Sequence, residues 1–141
     1  MAFRLSNELF VVRPVYQTLP VTNAIAVTLG DVVRLTDGRF NLCATNEVPF
    51  GVSMTPGTVT GNAAGTEVIQ VVLAFGCAFE VPQGAVLSDA NSQPGDTADI
   101  NATSDGITTS TNADFKIWEV DREKNLVYGF FSMGNTAVFP F

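Results

Sequence analysis

Histidine is absent from this chain. That removes the side chain most often used as a general acid or base, the commonest metal ligand, and the base of a serine or cysteine triad. Positive charge is also scarce. Seven Lys and Arg stand against fourteen Asp and Glu, a net charge of −7, and no Lys or Arg occurs between Arg39 and Lys116. That interval holds Glu47, Glu67, Glu80, Asp89, Asp96, Asp99, Asp105 and Asp114. Phosphate recognition needs cations on the protein, and anionic membranes attract basic segments. The expectation is no direct contact with nucleic acid or membrane, and an acidic, solvated face that favours solubility. Charge of either sign is low, 15% of the residues against about 25% in a typical soluble domain. A surface so poor in charge points to partial coverage by partners.

Long apolar runs are missing too. The first residues are interrupted by Arg4, Glu8 and Arg13, which leaves no apolar core for a cleaved leader. The uncharged run Val68–Phe79 is much shorter than a membrane-spanning helix requires. The expectation is assembly in a cytoplasm without export through such a leader. The two cysteines, Cys43 and Cys77, fit no metal or redox spacing. In a reducing compartment they read as free, buried thiols, with a Cys43–Cys77 bridge as the alternative. No GxGxxG or P-loop occurs, and Asn101-Ala102-Thr103 matches a glycosylation pattern that means little without a leader. Asp96, Asp99 and Asp105 offer a loop of carboxylates for hydrolysis or Ca²⁺ binding, but their spacing is not that of an EF-hand. They read as a solvated loop. The chain is therefore expected to use no cofactor and no metal, and to be no enzyme.

What is present is β-forming sequence. The chain has 141 residues, 46% of them hydrophobic, enough for one domain with a core of its own. Val, Thr and Phe dominate, punctuated by Gly, Pro, Asn and Asp. Val32–Ala44 predicts a hairpin with Asp37-Gly38 as a type I′ turn. That turn pairs Leu35 with Phe40, Val33 with Leu42, Arg34 with Asn41 and Thr36 with Arg39, so one face is apolar and the other polar. Glu67–Phe75 is apolar on both faces apart from Gln70, and predicts a central strand buried on two sides. Gly76 breaks or bulges it, and Ala78–Val81 continues it. Ala85–Leu87 predicts a short strand, and residues 88–114 predict exposed loops carrying at most brief strands. Phe115–Val120 and Leu126–Ser132 predict a second hairpin, with Trp118 directed into the core. The total, roughly seven to nine short strands, predicts an all-β barrel or sandwich.

Residues 1–29 read as an extended N-terminal arm or lead-in, and 30–141 as the β domain. The arm is apolar but interrupted by Pro14 and Pro20. It packs either on its own domain or on a neighbour, and the sequence leaves both open. Chain ends fray unless something ties them down. Apolar residues near the ends, Phe3, Leu5, Leu9, Phe10, Val12, Tyr16, Phe139 and Phe141, are therefore the candidates for a protein interface.

Gly30-Asp31-Val32-Val33 enters the first hairpin, Gly38 turns it, and Phe50-Gly51-Val52 follows. A Gly/Ala/Thr loop then leads to Val68-Ile69-Gln70-Val71-Val72, Gly76-Cys77-Ala78-Phe79-Glu80-Val81 and Gly84-Ala85. Over residues 30–90 this pattern resembles the capsid decoration proteins (head cement or auxiliary head proteins) of tailed bacteriophages. The resemblance implies a compact β-barrel or β-tulip and assembly as a homotrimer on the outside of an icosahedral shell. It also implies a major capsid protein as partner, with residues 1–20 as the contacting arm. The polar stretch 91–114 and the Phe-rich C-terminus depart from the pattern. Two alternatives stand beside this reading. One is another virion β-module, such as a head-fibre base, neck or tail component. The other is a carbohydrate-binding β-domain, which needs an exposed aromatic platform and a concave polar site.

Overall fold

The computed structural model describes residues 2–8, 14–74, 77–84 and 86–132, and every described element is β. In chain order these are β1 (Arg4–Glu8), β2 (Tyr16–Pro20), β3 (Ala26–Thr28), β4 (Val32–Thr36), β5 (Arg39–Leu42), β6 (Gly51–Ser53) and β7 (Thr58–Thr60). Then come β8 (Val68–Leu73), β9 (Cys77–Pro82), β10 (Thr97–Ile100), β11 (Ile107–Thr108), β12 (Phe115–Asp121) and β13 (Leu126–Phe131). A six-stranded sheet has the order β1-β9-β13-β12-β10-β11, a five-stranded sheet the order β2-β8-β6-β4-β5, and β3 pairs with β7. The all-β fold expected from the sequence is the fold observed.

The predicted β4–β5 hairpin forms in the predicted register, with all four expected pairs. Asp37 and Gly38 have φ of 50° and 76°, the two left-handed residues that a type I′ turn requires. Only part of its apolar face is covered: Phe40 is buried, but Leu35, near the tip, is 43% exposed.

The five-stranded sheet curls. Just beyond β2, Val21 bridges Phe40 on the opposite edge strand, and Thr22 N donates to Phe40 O at 2.8 Å. The concave side encloses an aliphatic core of Val21, Val27, Val33, Phe40, Ile69 and Val71. The β3–β7 pair contributes Val27 and Val59 to it. The convex side packs on the six-stranded sheet through a larger, aromatic core. There Phe3, Phe79, Phe115 and Phe131 meet Val32, Val52 and Val72. Phe131 is the hub, with ring centroids 4.9 Å from Phe3 and 5.2 Å from both Phe79 and Phe115. Consecutive residues thus face different cores: Val32 and Val33 on β4, Val72 and Val71 on β8. Strand alternation makes β4 and β8 a wall shared by both.

At Gly51, on β6, a Cβ would overlap the Val72 carbonyl oxygen and crowd Val71, so the wall needs a residue without a side chain there.

Several expectations change. β8 is central, but it is buried on two sides only in its second half. Ile69, Val71 and Val72 are buried, while Val68 is 47% exposed. β9 does not continue β8; it lies in the other sheet. Val86 and Leu87 form no strand. The segment 88–114 carries two brief strands, as expected, but it is not an exposed loop. Ala98, Ile100 and Ile107 enter the aromatic core, and Asp99 and Asp114 are buried with it. A polar composition conceals this because buried carboxylates can be satisfied by backbone N–H groups.

Trp118 is 44% exposed rather than in the core. The β12–β13 register shifts between Ile117 and Glu119. Alternation from the buried Phe115 and Ile117 puts Trp118 on the outer face, and the extra residue keeps Glu119 outside and returns Val120 to the core.

The first 29 residues, read as an arm or lead-in, include two edge strands. β1 pairs with β9 and β2 with β8. Phe3 is buried, which resolves the arm's packing at this residue in favour of its own domain.

Candidate docking surface

The interface candidates separate once the strands are placed. Phe3 lies in the aromatic core and Leu5 packs half-buried against it, so neither presents a free face. Tyr16 is 45% exposed at the start of β2. Leu9, Phe10, Val12, Phe139 and Phe141 lie outside the described residues.

Tyr16 does not stand alone. Val15 precedes it at 55% exposure, and Leu73 N donates to Val15 O at 2.8 Å, which ties this residue to β8. The β2–β8 register sets Tyr16 opposite Val72 and Pro20 opposite Val68. Tyr16, Pro20 and Val68 therefore share the side of the sheet that faces the aromatic core at Val72. They extend beyond the part that the six-stranded sheet covers. β2 is also the last strand of its sheet; β5 meets it at the Pro20–Val21 end, and among the described residues no strand pairs with the outer side of its Tyr16 end. An open edge next to exposed apolar side chains is where a further chain can add by strand pairing. Sequence reading missed Val68 because the strand looked doubly buried. The missing signal was how far the facing sheet extends.

The groups that could carry chemistry are otherwise engaged. Cys43 and Cys77 form no disulfide and are buried in the aromatic core. Burial, reinforced by Glu47 and Asp114, pushes the Cys43 thiol up to about 12. Asp99 accepts from the N–H groups of Thr111, Asn112 and Ala113 at 2.9–3.0 Å and so folds the 111–113 loop. Asp114 accepts from Ile100 N at 3.0 Å and Asn46 N at 3.3 Å, which joins that loop to the end of the first hairpin.

Asp31 accepts from Thr28 N at 2.8 Å, and burial raises its carboxyl above the usual range. Burial raises Asp105 as well, but hydrogen bonds from Thr103 and Asn101 outweigh it and hold that carboxyl low. Asn101 is thereby engaged in its own turn. Arg122 clamps the 88–92 turn, donating to the Asp89 carboxylate at 3.0 Å and to the Ser92 carbonyl at 3.1 Å. These carboxylates and this cation organise backbone. Among the described residues no group of three metal-ligating side chains converges, and no helix is long and apolar enough to cross a membrane.

The described residues define an all-β sandwich with a curled second sheet and an exposed apolar patch at the Tyr16 end of β2. No protein family, curated protein or solved structure matches the chain.

Proposed function

We propose that this chain is a virion structural protein that decorates the outer surface of an icosahedral phage capsid and stabilises it by bridging capsomers, assembling as a homotrimer. The observation that carries the reading is the apolar patch at the start of β2, where Val15 and Tyr16 are exposed on an edge strand and Val68 is exposed on its neighbour. The resemblance over residues 30–90 supplies the kind of partner, the major capsid protein. A shell presents identical sites at fixed spacing, so modest contacts by many copies, or by the arms of a trimer, add up through multivalency. Low charge and a paucity of cations suit contact with protein rather than with the packaged nucleic acid.

The test is stoichiometry in purified particles. Decoration requires a copy number near that of the major capsid protein. A few copies per particle would assign the chain to a neck, tail or fibre base instead, and absence from particles would overturn the reading. Val15→Asp with Tyr16→Asp should weaken binding to expanded capsids by about tenfold or more. The same exposed changes should shift folding stability by less than about 0.5 kcal/mol.

A further inference from the structure

The outer face of the six-stranded sheet carries the chain's only tryptophan. Alternation along β12 points Trp118 outward between the buried Ile117 and the bulge, and the bulge sets Glu119 on the same outer face. The neighbouring chain segment borders an open pocket of about 290 Å³, lined by Leu87, Asn91, Asp96, Thr97, Thr109 and Ser110. The two features are joined through the backbone. Ile117 N donates to Asp96 O and Gly95 N to Ile117 O, both at 2.9 Å, and Thr97 lies opposite Lys116. Lys116 and Trp118 are both exposed on one face of β12, so Thr97, opposite Lys116, brings its side of the pocket onto the face of Trp118.

The pocket is small, and five of its six lining side chains are polar. Asn91 Oδ1 accepts from Ser88 N, and one Asp96 oxygen accepts from Gln93 N. The Asn91 amide N–H groups, the other Asp96 oxygen and the Thr109 hydroxyl have no partner among the described residues. All three residues line the pocket and supply it with both donors and acceptors.

The face next to Trp118 carries Glu80, Glu119 and Asp121 against Arg4 and Lys116, with Arg4 paired to Glu80 at 2.6 Å. Desolvation, then the carboxylates of Glu80, Asp121 and Glu119, hold the Tyr128 hydroxyl above its ordinary range, with Arg4 opposing, and Glu119 lies opposite Tyr128. The slight excess of carboxylates gives an anionic ligand no net attraction there. A protein partner would have to desolvate Lys116 and Glu119 on the same face, at a cost. A neutral sugar requires neither: its C–H face stacks on an indole while its hydroxyl rim stays hydrogen-bonded.

We propose that Trp118 and this pocket form a binding site for a neutral oligosaccharide, one unit stacking on the indole and the next hydrogen-bonding to Asp96, Asn91 and Thr109. The site lies on the six-stranded sheet, away from the β2 edge, and does not depend on capsid binding.

Because Trp118 is the sole tryptophan, its fluorescence reports on the site directly. The intact chain is titrated with tetrasaccharides of β-1,4-N-acetylglucosamine, α-1,4-glucose, β-1,4-glucose and α-1,6-mannose, with calorimetry in parallel. The expected result is a saturable blue shift with at least one of them below about 10 mM. Trp118→Ala and Asp96→Asn should each weaken that binding by about tenfold or more, read by calorimetry, with the melting temperature unchanged. Trp118→Phe should retain most of it. No response to any of the four, or undiminished binding by Trp118→Ala, overturns the proposal. Neither result bears on the stoichiometry in particles.

Discussion

The two cores of this protein are built differently although they share a wall. The aromatic core between the sheets draws on residues from Phe3 to Phe131, nearly the full described length. The aliphatic core inside the curled sheet is drawn from Val21 to Val71 and is closed largely by local pairings. One core is large, assembled from distant segments and tied by ring contacts; the other is small and mostly β-branched. Neither is independent, because β4 and β8 present alternate residues to each. Alternation, which in an ordinary half-exposed strand separates inside from outside, here separates one inside from another.

The strongest way to break this arrangement is at the wall. Gly51→Ala forces a Cβ against β8 and should cost about 4 kcal/mol or more, read as a fall in the denaturation midpoint. Unfolding should stay a single transition, with fluorescence and far-UV signals coinciding. Two separated transitions would show that the cores fold as distinct units and that the shared wall does not couple them. Next come the cores themselves. Phe115→Ala and Phe40→Ala should each cost about 3–5 kcal/mol. Phe115 is expected to be the more costly, because its ring meets both Phe3 and Phe131 in the core, while the Phe40 ring meets the half-buried Phe50 at 5.6 Å. A larger loss at Phe40 would invert the ranking of the two cores.

Smaller effects sharpen the picture of the aromatic core. Cys43, held at about 12 and buried, should resist alkylation at pH 8 until the protein unfolds. Rapid labelling of the native protein would show that this core opens locally.

The smallest effect concerns Asp31, whose burial raises its carboxyl above the ordinary 3.8. The folded state then binds more protons than the unfolded one between that value and the raised one. The associated stability is present below 3.8 and lost as pH rises through the folded value. Asp31→Asn keeps an acceptor for Thr28 N and removes the charge. Its stability relative to the unsubstituted protein should therefore rise with pH across that window and then level off. A difference independent of pH would place Asp31 in a better solvated setting than its burial implies.

Legibility followed the range of the interactions. The β4–β5 register could be read because a two-residue turn and a period-2 pattern act within thirteen residues, Val32 to Ala44. The β12–β13 hairpin was legible for the same reason, and alternation from the buried Phe115 and Ile117 also carries Trp118 to the outer face, which the expectation of a core tryptophan overlooked. The bulge that returns Val120 toward the core was not legible, because nothing local marks an added residue. The segment 88–114 misled because its burial depends on carboxylates meeting backbone groups far along the chain, as Asp114 meets Asn46. The saccharide site was equally hidden. Its Trp118 looked internal, and its pocket residues are scattered from Leu87 to Ser110.

The sequence by itself determined the β class, both hairpins and the burial of the cysteines. It did so through short-range turn chemistry and side-chain alternation, which any chain of this pattern must obey. Only the tertiary structure decided that the five-stranded sheet curls, that Val32 and Val33 face different cores, that Phe3 belongs to its own domain, and that Val68 and Trp118 remain exposed. Those outcomes depend on where one sheet ends against another. That boundary is set by contacts between residues far apart in the chain, which no local window contains.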